Sequence, residues 1–199
     1  MKKLGILLSG RGSNFEAIAN NIESGSLAAE IAIVISNLPE AAGIDSAKRR
    51  GLKALVIPSL GKPREAHEAE VIAALHSAKV DLICLAGYMR LLSASFVRTF
   101  PQRILNIHPS LLPAFPGLHA QKQALDYGVK VAGCTVHFVD EDCDHGPIIV
   151  QRSVPVFRDD TEETLSARIL EQEHLAYSEA IEKVLSGNFR IVNRCVVVD

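Results

Sequence analysis

The chain predicts an α/β fold, a doubly wound sheet of largely parallel strands. Short apolar runs alternate with amphipathic stretches of helical length through most of the 199 residues. The run 80–86, Val-Asp-Leu-Ile-Cys-Leu-Ala, is nearly all apolar, as a strand covered on both faces of a parallel sheet must be. The run 104–108, Ile-Leu-Asn-Ile-His, puts a polar face at a strand's carboxyl end, where open α/β sheets bind ligands.

Taken in order, residues 4–8 read as a buried strand, followed by the turn Ser9-Gly-Arg-Gly-Ser-Asn14 and a helix over 15–23 closed by Gly25. Strands at 31–35 and 53–57 bracket a short helix over 41–50 that ends at Gly51. A longer helix at 64–78 precedes the strand at 80–86. Gly87-Tyr-Met-Arg90 then lies at that strand's carboxyl end, either a plain loop or a place where glycine lets backbone approach a ligand. The strand 104–108 stops at Pro109, which has no N–H for a central ladder. A short helix over 119–127, strands over 131–139 and 148–156, and a final helix from 161 to 185 with Gly187 as its cap complete the pattern. Residues 191–199 suit an edge strand or a contact with a partner subunit, and nothing else in the pattern separates a monomer from a homodimer. No repeat or linker interrupts the chain, so residues 1–199 are expected to form one domain with halves of 1–100 and 101–199.

Composition excludes several classes. With 48% apolar and 22% charged residues the chain suits a packed core rather than disorder. A net charge of -2 without a long basic run offers nucleic acid no general attraction. No stretch reaches the ~20 apolar residues that span a bilayer, and the apolar run behind Lys2 and Lys3 is too short for a signal peptide. Cys84, Cys134, Cys143 and Cys195 form no C-x-x-C pair, which suits reduced thiols in a cytoplasm and no zinc site.

The chemistry is expected at residues 104–113. Side chains on a strand alternate, so Asn106 and His108 share one face while Leu105 and Ile107 take the other. A carboxamide donor and an imidazole together at a strand end suit an active site, against the plainer reading of a core histidine beside a turn asparagine. The glycine turn feeding the first helix suits an anion, because backbone N–H groups and the positive helix end converge there. Phe15 stands where a dinucleotide fingerprint needs its third glycine, so a single phosphate is favoured; a simple turn with Ser13 or Asn14 as helix cap is the alternative. Glu173 falls inside the apolar arc of Leu165, Ile169, Ala176, Ala180 and Val184, where a carboxylate needs either a structural cation or a ligand amine. His137, in mid-strand with Gly133, Thr135 and Val139, reads as structural. The acidic loop Asp140-Glu-Asp-Cys-Asp144 lacks the pattern of a calcium loop, so no metal is expected.

Ser9-Gly-Arg-Gly-Ser-Asn14, Leu85-Ala-Gly-Tyr-Met-Arg90, Asn106-Ile-His-Pro-Ser-Leu-Leu-Pro113, the Asp144 loop and Gln172-Glu-His174 closely resemble the folate-dependent formyltransferase family, in the same order along the chain. The opening motif narrows the resemblance to the phosphoribosylglycinamide formyltransferases. The resemblance implies a three-layer α/β/α Rossmann-like fold with a mostly parallel seven-stranded sheet and one antiparallel strand. It also implies formyl transfer from 10-formyltetrahydrofolate to the amine of glycinamide ribonucleotide (GAR) in purine biosynthesis. Asn106 and His108 would polarise the formyl oxygen, and Asp144 would hold His108 protonated. Gly12, Ser13 and Asn14 would grip the ribonucleotide phosphate and Glu173 the glycinamide. Arg64, Met89, Arg90, Leu91, Leu92, Asn106, Asp140, Glu141, Asp142, Cys143 and Asp144 would form the folate side, with His119 a supporting polar residue. Sister transferases acting on methionyl-tRNA or sugar nucleotides, and the folate hydrolase, carry extra domains or length; the span from Ser9 to Asp199 leaves no room for them.

Overall fold

The computed structural model describes residues 1–198, so Asp199, the last of the expected edge strand, lies outside the described residues. The chain forms two compact units, Met1–Leu105 and Asn106–Asp199, dividing within one strand.

The first unit repeats strand and helix: β1 (Lys2–Leu8), α1 (Ser13–Glu23), β2 (Ala29–Ser36), α2 (Ala42–Arg49), β3 (Ala54–Val56), α3 (Arg64–Ser77), β4 (Leu82–Leu85), α4 (Ala94–Thr99) and the start of β5 (Ile104–His108). Its strands lie in the order β3-β2-β1-β4, and each pairing is parallel. β1 and β4 sit in the middle, so both of their faces are covered, and Leu4, Ile6, Leu7, Leu8, Ile83 and Cys84 are completely buried. Gly5 lets α3 press onto β1: a Cβ there would stand 2.7 Å from Leu75 Cδ2. All strand ends that carry the phosphate turn and residues 87–92 therefore point to the same edge.

Sequence periodicity misses α4, which at six residues is too short to show a helical stripe. Its start is nevertheless encoded: Ser93 Oγ accepts the Phe96 N–H at 3.1 Å, and the buried Glu68 accepts the Ser93 N–H at 2.8 Å.

The second unit holds the end of β5, then α5 (Ala120–Tyr127), β6 (Val131–Phe138), β7 (Ile148–Pro155), α6 (Glu162–Leu185), β8 (Phe189–Val192) and β9 (Cys195–Val198). β6 and β7 pair antiparallel from Val131↔Pro155 to His137↔Ile148, with an irregularity at Val136 and His137. β9 joins β7 in parallel and closes with β8 as an antiparallel hairpin. Nine strands thus form among the described residues rather than seven, and two pairings are antiparallel rather than one strand. The extra pair comes from residues 189–198, whose two β-rich halves turn at Asn193 (φ 56), a residue type that tolerates the left-handed conformation.

α6 is the long helix that the apolar arc predicts. Thr161 and Thr164 cap its start reciprocally, and Leu165, Ile169, Glu173, Ala176, Tyr177, Ala180 and Ile181 are buried along it.

Candidate active site

The site in the second unit is built on β5 and β6, neighbours in the sheet. Ile104, Leu105 and Ile107 are buried apolar groups, while Asn106 is half-buried and His108 is only 5% exposed. On β6, every residue from Ala132 to Phe138 is buried, and two of them, Thr135 and His137, are polar. Buried polar groups need partners, and the partners define the site.

The His108 ring is held between two acceptors. Nδ1 lies 3.3 Å from Asp144 Oδ2, and Nε2 donates to the Phe115 carbonyl at 2.8 Å. A carbonyl cannot donate, so Nε2 carries a hydrogen, and Nδ1 forms an ion pair with Asp144 when the ring is protonated. Asp144 collects donors in turn: Gly117 N–H at 2.8 Å and Asn106 Nδ2 at 3.3 Å reach its two oxygens. With its side chain 11% exposed, this carboxylate faces the His108 ring in a setting that would screen a charge pair only weakly.

The Asn106 amide has a second acceptor. Its Nδ2 lies 3.2 Å from His137 Nε2, while His137 Nδ1 donates to the Phe138 carbonyl at 2.8 Å. Burial holds the His137 imidazole below the ordinary histidine range, so the ring is neutral at physiological pH, with the proton on Nδ1 and a lone pair on Nε2. The two acceptors fix which way the Asn106 amide points: nitrogen toward His137 and Asp144.

The surrounding loop is tied to β6 through Thr135. Its hydroxyl donates to the Ser110 carbonyl at 2.7 Å and accepts from Leu112 N–H at 3.0 Å and Gln151 Nε2 at 2.9 Å. Asp144 itself adopts φ 50, a left-handed conformation that aspartate tolerates better than bulky residues do.

In the first unit, the turn after β1 delivers α1 with Gly12 at its N-cap position in the left-handed region (φ 78), and no side chain caps the helix. Neither Ser13 nor Asn14 acts as the cap; both lie inside the helix, because glycine takes the αL position. A Cβ on Gly12 would meet Gly43 Cα at 3.1 Å and Leu8 Cδ2 at 3.3 Å. The first N–H groups of α1 thus lack side-chain caps at the helix's positive end, an arrangement suited to an anion.

The remaining residues are spread over both units. Arg64 opens α3 and is exposed, as are Met89 and Leu91, at 68% and 60%. Arg90 and Leu92 are half-buried. In the second unit, Glu141, Asp142 and Cys143 are exposed, and Asp140 accepts the Asp142 N–H at 3.1 Å and the His145 Nδ1–H at 2.9 Å. Burial and the adjacent Asp144 raise the Cys143 thiol, which disfavours the thiolate a nucleophile requires. Glu173 is buried on α6, 7% exposed, and His119 is an exposed N-cap of α5 at φ 57. Among the described residues no helix is long and apolar enough to cross a membrane, and no group of three His, Cys, Asp or Glu side chains is arranged to hold a metal ion.

Against known proteins, the family model described as formyl transferase matches residues 2–181. The chain belongs to the formyl transferase family. Phosphoribosylglycinamide formyltransferase of Escherichia coli is 38% identical over 98% of this chain and 92% of its own length. The trifunctional purine biosynthetic protein adenosine-3 of Drosophila melanogaster is 48% identical over 94% of this chain, which spans only 14% of that protein. The crystal structure of glycinamide ribonucleotide transformylase 1 from Symbiobacterium toebii superposes with a TM-score of 0.97 at 49% identity, covering all of this chain and 94% of that one. The Rossmann-like α/β architecture expected of a formyl transferase is therefore shared.

In this formyl transferase the three residues singled out from sequence meet at Asp144, which accepts a hydrogen bond from Asn106 and lies 3.3 Å from His108 Nδ1. The role of His137 was not legible from its mid-strand position. One signal was available: Thr135 and His137 put two polar side chains on the same face of an otherwise apolar strand. The backbone partners Phe115 O and Gly117 N carry no side-chain signal at all.

Proposed function

We propose that this protein transfers the formyl group of 10-formyltetrahydrofolate to the amine of GAR, giving formyl-GAR and tetrahydrofolate in purine biosynthesis. The observation that carries this reading is the His108 ring poised between Asp144 and Phe115 O, beside the Asn106 amide. The four cysteines form no disulfide among the described residues and none is placed as an activated nucleophile, which suits a cytoplasmic enzyme that needs no covalent intermediate.

The reaction needs donors where negative charge develops. When the GAR amine attacks the formyl carbon, the carbonyl π electrons move to oxygen and a tetrahedral oxyanion forms. Asn106 Nδ2 and protonated His108 are the donors that meet it. Both donors are engaged, Asn106 by bonds of 3.2–3.3 Å and His108 by a loop carbonyl at 2.8 Å. The formyl oxygen takes the place of these partners, Phe115 O giving up the Nε2–H and one Asn106 N–H turning to the substrate. Asp144 keeps its hold on Nδ1 and so stabilises the imidazolium throughout. Collapse of the intermediate breaks the bond from carbon to the folate nitrogen. That nitrogen takes up a proton as the former amine loses one, with His108 and water as the relay.

Gly12, Ser13 and Asn14 hold the phosphate of GAR, and buried Glu173 receives its glycinamide amine. Arg64, Met89, Arg90, Leu91, Leu92 and the Asp140 to Asp144 loop face the formylfolate. The first unit then serves the phosphate and part of the folate, and the second the transfer chemistry.

The deciding experiment supplies 10-formyltetrahydrofolate with and without GAR and follows folate absorbance. Turnover only with the amine is the expected result. Formate release without GAR would make the protein a hydrolase, and no turnover under either condition would overturn the reading.

A further inference from the structure

In the first unit, one line of buried polar groups laces together the carboxyl ends of four neighbouring strands. The strands stand in the order β3-β2-β1-β4. The line follows that order: Ser59 beyond β3, Asn37 after β2, Ser9 after β1 and Met89 beyond β4. Asn37 Nδ2 donates to Ser59 Oγ at 3.2 Å, Ser9 Oγ donates to Asn37 Oδ1 at 2.6 Å, and Met89 N–H donates to Ser9 Oγ at 2.8 Å. Backbone bonds run alongside, from Ser9 N–H to Gly87 O at 3.0 Å and from Ser59 N–H to Asn37 O at 3.3 Å.

Ser9, Asn37 and Ser59 are 6%, 5% and 8% exposed. Their polar atoms are spent on the strand-exit loops. A buried network of this kind fixes the segments it joins, because breaking one link strands a donor or acceptor away from water.

We propose that Ser9 and Asn37 are positioning residues that make the phosphate turn and the folate-facing segment one rigid edge, so that the two substrates are bound more tightly together than apart. The proposal rests on assigning Gly12, Ser13 and Asn14 to GAR, and Arg64 and Met89 through Leu92 to formylfolate. Ser9 opens the phosphate turn, and its hydroxyl holds the backbone of Met89, the first of the folate-facing residues. Asn37, through Ser59, steadies the loop that leads into Arg64 and α3. That loop is further anchored where His67 Nε2 donates to the Ile57 carbonyl at 3.0 Å. A ligand that orders either segment orders the other through the shared hydroxyl, and such coupling is reciprocal.

The test compares Ser9→Ala with Ser9→Thr, measuring kcat and the KM for GAR and for 10-formyltetrahydrofolate on the full chain. Ser9→Ala is expected to raise both KM values about tenfold, the scale of one lost hydrogen bond, and to affect them more than kcat. Ser9→Thr, which keeps the hydroxyl, restores both. A rise in only one KM, or both staying within about twofold of wild type, a change too small for a lost bond, overturns the proposal. Should Ser9→Ala fail to fold, Ser59→Ala cuts the outermost link and is expected to raise both KM values about threefold; no change in either then overturns it. Wild-type protein that turns over neither substrate refutes the underlying assignment instead, and the proposal with it.

Discussion

His108 Nδ1 stands 3.3 Å from Asp144 Oδ2, joining the end of a central strand to a loop far along the chain. The pair exists because Asp144 takes a left-handed φ of 50 and because Gly117 N–H holds the same carboxylate oxygen at 2.8 Å. Asparagine tolerates that backbone as well as aspartate does, which makes Asp144→Asn a clean removal of charge. We expect the variant to fold normally and to lose ~100-fold or more in kcat, the scale of losing one preorganised electrostatic group. Steady-state kinetics beside a circular dichroism spectrum checks this; near-normal turnover would remove Asp144 from the mechanism.

His137 is expected to act through Asn106. Its neutral Nε2 is one of the two acceptors that aim the amide. His137→Leu deprives one Asn106 N–H of its partner, and kcat is expected to fall about tenfold, the scale of one hydrogen bond. Because burial keeps the ring neutral, the loss should be the same at every pH above neutrality. A loss that varies with pH in that range would show that the ring titrates during catalysis.

Gly12→Val tests the phosphate turn. Valine at φ 78 is sterically disfavoured, and its Cβ would press on Gly43 at 3.1 Å. The KM for GAR is expected to rise more than about tenfold beyond any rise for formylfolate, since the helix N–H groups are displaced from the phosphate. Equal increases for the two substrates would place the phosphate elsewhere.

Asp160 gives a pH-dependent contribution to stability. Arg168 grips its carboxylate with two bonds of 2.8 Å, and these hold the group well below the ordinary carboxylate range. A carboxylate lowered in the folded state stabilises the protein above the unfolded pKa of ~3.9, and that stability is lost as pH falls below it. Asp160→Asn should therefore lower Tm by several degrees near pH 7, with the difference from wild type narrowing below pH ~4. Thermal melts across that range check the sign; a gap that widens in acid would contradict it.

Much of the fold was legible because its signals are local. The β1 turn, the two-sided apolar strand β4 and the capped stripe of α6 each follow from residue spacing within a few turns of chain. The short α4 and the hairpin of β8 and β9 were not. Six residues are too few for a stripe, and residues 189–198 become strands only once β7 offers an edge to pair with. Asn106 and His108 could be placed on one face by alternation alone, whereas the neutral tautomer of His137 depends on how deeply the strand is buried and on where the Phe138 carbonyl points.

By itself, the order of residues determined the α/β class, the strand that ends at His108, the glycine turn at Gly12 and the family resemblance. Period-two and helical spacing and the stereochemistry of glycine and proline are properties of neighbours in the chain. Only the tertiary structure decided that Asp144 meets His108, that His137 and Asp144 jointly aim the Asn106 amide, and that Ser9 shares its hydroxyl between Asn37 and Met89. Those are contacts between distant segments, and they exist because burial forces each polar group to find a partner wherever the sheet brings one within reach.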